Sequence, residues 1–89
     1  MIKDLKIGDA VSLNSAFLFS SWLDAYDEIY CNHVKYNRQI AVINENDNDL
    51  WLIVESSSSH DCYKICNAKF VGWVNNSAIK NVISHAVDL

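Results

Sequence analysis

Five side chains in two groups carry metal-ligand chemistry: Cys31-x-His33 and His60-x-Cys62-x-x-x-Cys66. Thiolate and imidazole are the usual ligands of tetrahedral zinc. The spacings match no standard zinc knuckle, however, and no Cys-x-x-Cys occurs. Cys62 and Cys66 are too far apart for a strand pair unless the chain turns there, and a disulfide needs α-carbons within about 7 Å. Buried free cysteines are common as small hydrophobic residues. Neither a metal nor a cofactor is expected. Cys62 and His60 could form a nucleophile pair on paper, but no glycine-rich or helix-N-terminal oxyanion element accompanies them. Asp24, Asp27 and Glu28 could supply a glycosidase pair, although a helix face in so short a chain offers no cleft. P-loop and dinucleotide-binding glycine patterns are absent. The expectation is a protein that is not an enzyme.

A second group mixes aromatics and acids: Trp22, Asp24, Tyr26, Asp27, Glu28 and Tyr30. On a helix, Trp22, Tyr26 and Ile29 form an inner stripe while Asp24, Asp27 and Glu28 stay solvated. The functional alternative has the aromatics as anchors inside an acidic rim, facing a basic protein partner. Trp73, beside Gly72, is expected to lie half-exposed. With Asn75 and Asn76 it would form a second contact corner.

These residues sit in 89 positions, one domain's worth of chain. A chain of this mass buries roughly 60–65% of its unfolded surface, enough for one compact core. The formal charge is −4, and the seven Lys and Arg are scattered. Binding to nucleic acid or to an anionic membrane draws on clustered basic residues, so neither is the expected partner. Lys64, Lys69 and Lys80 with Tyr63 and Trp73 could make a base-stacking platform, but the acidic total opposes it. Mixed charge in Met1-Ile2-Lys3-Asp4 and the short apolar runs predict neither a signal peptide nor a transmembrane helix. Three cysteines, an odd number, fit a reducing compartment, and a cytoplasmic location is expected.

Several elements must position these groups. Gly8-Asp9 reads as a tight turn feeding a first strand at about Ala10 to Asn14, with Val11 and Leu13 inward. From Ser15 to Tyr36, Leu18, Trp22, Tyr26, Ile29 and His33 recur at helical spacing. Ser21 is a plausible N-cap, and a short helix is predicted at about Trp22–Tyr30. The alternation of Phe17 and Phe19 keeps a hairpin open as the alternative. A second strand at about Arg38–Asn44 and a third at about Leu50–Ser56 are predicted to form a hairpin across the polar turn between them. Near-continuous apolarity in Leu50–Val54 suggests cover on both faces. An uncovered face there would favour a homodimer. Tyr63–Cys66 and Phe70–Val74 read as strands, Asn75-Asn76-Ser77 as a 3₁₀ turn, Ile79–Ile83 as the closing strand and Ser84–Leu89 as loose. The predicted core is Val11, Leu13, Ile40, Val42, Trp51, Ile53, Phe70, Val74 and Ile79.

In this order the pieces resemble an SH3-like barrel. Lys6-Ile7-Gly8-Asp9-Ala10-Val11 together with Gly72-Trp73-Val74 resembles the small bacterial and phage SH3-type domains. The resemblance implies a mainly β fold over residues 1–89, a small barrel of five to six antiparallel strands. The helix-bearing insertion at Ser15–Tyr36 would fill the long loop between the first two strands. Eukaryotic SH3 domains bind proline-rich peptides between flat aromatics and a proline. Their groove tryptophan falls here at Leu50, the proline at Asn75 and the tyrosine at Ala78, so that activity is not implied. Bacterial relatives often bind peptidoglycan, but no attached enzyme or export signal is expected here.

Together these features point to a small acidic protein that binds another protein. Phage and mobile-element inhibitors or modulators of a host factor share this profile. The alternative is an SH3-type ligand-binding module for cell-wall glycan or a small metabolite, with aromatics as stacking surfaces.

Overall fold

The computed structural model describes residues 5–30, 39–45, 49–57 and 59–86, with the backbone alone for 27–30. Among the described residues there are seven strands: β1 (Ala10–Leu13), β2 (Ala16–Phe19), β3 (Gln39–Ile43), β4 (Trp51–Ser57), β5 (Cys62–Cys66), β6 (Val71–Asn75) and β7 (Ile79–Ser84). One helix, α1 (Trp22–Tyr30), follows β2, and a 3₁₀ turn (Asn76–Ala78) joins β6 to β7. All strand pairs are antiparallel, in the order β3-β2-β6-β5-β4-β1-β7. The sheet curls into a half-barrel. Its two edges approach at one end, where Lys80 of β7 lies 3.6 Å from Glu45, just past β3. Both side chains are half-exposed, so this ion pair adds little stability.

The inner face follows from period-two alternation. Val11, Leu13, Trp51, Ile53, Ile65, Val74 and Ile79 are buried together with Leu18 and Ile43. Fully burying one such aliphatic side chain is worth about 1.5–3 kcal/mol. A second cluster lies on the outer face: Phe19, Cys62 and Trp73 are covered by Ala25 and Tyr26 of α1.

Four expectations are corrected. First, β2 adds a strand beyond the five to six predicted. Helix and strand share the insertion: Phe17 and Phe19 alternate along β2, and the helical spacing begins after it. Second, β3 and β4 do not form a hairpin. β3 pairs with β2, and β4 with β5 and β1. Third, Ile40 and Val42 are 50% and 59% exposed, because β3 points Ala41 and Ile43 inward and Val42 sits opposite the exposed Phe17. Phe70 is also exposed; it precedes β6 in a turn where Asn67 Oδ1 accepts the amides of Lys69 and Phe70 at 2.8 Å. Fourth, β4 is covered on one face only, with Leu50 and Leu52 exposed.

Asp9 ties Lys6, in the turn before β1, to Ala86, beyond β7. Gly8 adopts φ +98°, which favours glycine, and sets the turn. Ile53 exchanges backbone hydrogen bonds with it: Gly8 N donates to Ile53 O at 2.7 Å, and Ile53 N to Asp9 O at 3.0 Å. The Asp9 carboxylate is fully buried and accepts the amides of Lys6 (2.9 Å) and Ala86 (2.6 Å). His85 Nδ1 lies 3.6 Å from it. Residues 84–86 are therefore anchored, where the sequence suggested a loose end.

Candidate contact site on helix α1

Helix α1 starts where the sequence places it, and Ser21 is its cap. Asp24 N donates to Ser21 Oγ at 3.3 Å, and Ser21 Oγ donates to Asp24 Oδ2 at 3.2 Å. That reciprocal arrangement satisfies an amide which the helix start leaves open. It also removes Asp24 from the expected acidic rim: Asp24 is only 8% exposed, because its carboxylate turns back to the cap. Asp27, Glu28 and Tyr30 continue the helix, and their side chains lie outside the described set.

The aromatic half of the patch is organised around His60, at the turn between β4 and β5. The Trp22 and His60 rings lie 4.4 Å apart at 33°, and Tyr26 meets His60 edge-on at 5.0 Å. His60 Nδ1 is 2.8 Å from Ser59 Oγ and 3.4 Å from Ser57 Oγ. Asp61 then turns the chain with φ 52°, which aspartate tolerates better than most residues. The ring is thus held on two sides, and it in turn braces the first turn of α1. Trp22 stays 36% exposed and Leu23 is 49% exposed. Leu23 was missed by the sequence reading, since helical spacing alone does not say which apolar side chain faces away.

The second expected corner is not a surface. Trp73 is 9% exposed and packs under α1, and Asn75 and Asn76 are each 4% exposed. Gly72 lets β2 lie close against β6, with Trp73 turned to the other face beneath the helix, and the two asparagines serve the turn. Asn76 N donates to Asp61 O at 2.8 Å, and Ser77 Oγ donates to Asn75 Oδ1. Tyr63 is hydrogen-bonded to Asn76; burial pushes the Tyr63 phenol up, the bond to Asn76 offsets part of this, and Asp61 and Cys62 add to the rise.

The chain matches no family model, no curated protein and no solved structure.

Of the cysteine–histidine set, the described members run along β5 and the turn before it. Cys31 and His33 lie outside the described residues. Cys62 and Cys66 occupy the two ends of one unbroken strand, about 13 Å apart by strand rise, too far for a disulfide. Among the described residues no three His, Cys, Asp or Glu side chains gather as a metal site. Cys62 is fully buried and donates its thiol to His60 O at 3.3 Å. Burial, with the charge of Asp61 adding, pushes its thiol up to about 11. A thiol in that state is protonated at neutral pH and is a poor nucleophile. In a Cys31→Ser background at pH 8, maleimide is expected to label Cys66 first and Cys62 only in denaturant. Mass-mapped rapid labelling of native Cys62 would contradict this placement.

Shallow depressions accompany these elements. One of about 170 Å³ lies by Leu50 and Lys69, and one of about 200 Å³ by Phe17 and Val42. Both fall below the usual 300 Å³ or so of a small-molecule pocket. No helix among the described residues is long and apolar enough to cross a membrane.

Proposed function

We propose that this chain is a non-catalytic protein on an SH3-like small barrel. It acts in the cytoplasm by direct contact with another protein, as a modulator or inhibitor of a host factor. The observation that carries the reading is the pair Trp22 and Leu23, exposed side by side at the start of α1. Their first turn is braced by the Ser21 cap and by the stacked His60. Anchors already held in place lose little freedom on binding, which is the property of hot-spot residues. The inert Cys62 thiol supports a role without nucleophilic chemistry. Asp27 and Glu28, adjacent in sequence, keep a basic partner the favoured kind.

The test compares wild-type protein with Leu23→Glu and with Asp27→Lys/Glu28→Lys as bait in lysate of the native host, followed by titration of the purified partner. Wild type is expected to retain a stoichiometric protein. Leu23→Glu should weaken it by about thirtyfold, the loss of one hot spot, at an unchanged melting temperature. A partner bound equally by all three baits overturns this interface. Co-sedimentation with purified sacculi, with no protein retained, would instead favour the glycan-binding alternative.

A further inference from the structure

Away from α1, the sheet keeps two edges, and they are not alike. Among the described residues β7 pairs with β1 alone and β3 with β2 alone. An edge strand offers unpaired backbone N–H and C=O groups to any other strand, and proteins blunt it with charge, proline or bulges. β7 is blunted: it carries the exposed Lys80, and its register with β1 shifts twice. β3 reads Gln39-Ile40-Ala41-Val42-Ile43, without charge or proline. Its register with β2 shifts once, near Gln39, and is regular from Ala41 to Ile43. Ile40 and Val42 stand exposed on its outer face, where Val42 lies opposite the exposed Phe17.

We propose that β3 pairs edge to edge with β3 of a second copy, antiparallel about a two-fold axis level with Ala41. The copies lie side by side, and one sheet runs on into the other. Helix α1 does not stand between them, since it covers Phe19, Cys62 and Trp73 on β2, β5 and β6.

Three features select a second copy. The first is self-complementarity. Opposite residues in antiparallel strands share a face, so the axis must be level with a residue of β3 and not between two. Ala41 is the centre that pairs all five residues. Ile40 then meets the second copy's Val42, Val42 meets its Ile40, and Ala41 meets itself at the axis. An isologous contact requires this reciprocity. The second feature is charge. Copies of a chain with net charge −4 repel one another, but β3 carries no charge. In sequence, Lys35 and Arg38 precede the strand, and Glu45, Asp47 and Asp49 follow it. Antiparallel pairing brings the basic flank of each copy to the acidic flank of the other; a parallel contact would set like beside like.

Hydrogen bonding is the third feature. Five residues give about 17 Å of edge and about four to six backbone hydrogen bonds. So small a contact makes a weak dimer, formed at high concentration. The β3 edge is separate from Trp22 and Leu23, so the inference goes beyond the proposed function and does not depend on it.

Sedimentation velocity on the full chain, from low-micromolar to submillimolar concentration, tests it. Wild type is expected to pass from monomer to dimer. Ile40→Lys and Val42→Glu, both at exposed sites, should leave the circular dichroism spectrum intact. Each should weaken the dimer about tenfold, because one change spoils both Ile–Val pairs. The double variant sets Lys opposite Glu in both pairs and should recover most of the affinity. A wild type that stays monomeric overturns the proposal and leaves the edge to a strand of another protein. A dimer indifferent to both single changes overturns it too, as does a double variant no tighter than the singles.

Discussion

Gly72→Ala is expected to cost about 3 kcal/mol of folding stability, at or above the upper end for overpacking a filled site. A β-carbon on Gly72 would stand 2.6 Å from Leu18 Cγ and 2.8 Å from the carbonyl oxygen of Phe19. Leu18 could swing aside at some cost, but the Phe19 carbonyl belongs to the backbone of β2 and has no rotamer to change. The clash therefore pushes β2 off β6. These strands meet through the register pair Phe19↔Trp73, directly under α1, so the second core loosens with the strand. In a domain of this size the melting temperature should fall by about 10 °C or more. Urea denaturation reads the loss as a lower midpoint. A midpoint equal to that of wild type would mean that β2 does not lie against Gly72. Truncating Leu18 as well should not restore stability, because the carbonyl contact remains.

Asp9→Ala is expected to cost about 3–5 kcal/mol, because it leaves the Lys6 and Ala86 amides without their charged acceptor. Asp9→Asn keeps the volume and one carbonyl and should cost about 2 kcal/mol, since its NH₂ group faces donors. The wild-type carboxyl has its own pH signature. Burial alone would raise its pKa; the Ala86 and Lys6 amides, with the charge and hydrogen bond of His85, outweigh that and hold it below the ordinary carboxylate value. A pKa depressed by folding contributes stability that is fully present above the unfolded value, about 3.9. That contribution falls away as pH drops through the depressed native value, because protons bind the unfolded chain first. The gap between wild type and Asp9→Asn should thus be full at pH 7 and narrow below about pH 4. Denaturation midpoints across that window measure it, and parallel curves for the two proteins would rule the mechanism out.

Both predictions concern joints that the sequence shows only in part. Gly8-Asp9 was legible as a turn, because glycine and aspartate supply the backbone geometry. That Asp9 is a buried charge holding Ala86, 77 residues away, was not legible: a carboxylate reveals its partners only once the chain has closed. Gly72 was legible as the mark of a corner, whereas the strand lying against it was not.

Local pattern determined the strands β1 and β3 to β7 to within about a residue or two, the start of α1 at its Ser21 cap, the 3₁₀ turn and a mainly β domain. Periodicity and turn chemistry act over a few residues, so a linear reading reaches them. Tertiary structure decided which strands pair, which face of β3 looks inward, and which members of the acidic-aromatic patch reach the surface. Ile40 and Val42 alternate equally well with either phase, and only the pairing of β3 with β2 selects Ala41 and Ile43 for the core. Trp73 looked like a contact residue until α1 was placed over it, and Asp24 looked solvated until Ser21 claimed its carboxylate. Contacts between residues distant in sequence settle these points, because a side chain is buried or exposed by what lies opposite it rather than by its neighbours along the chain.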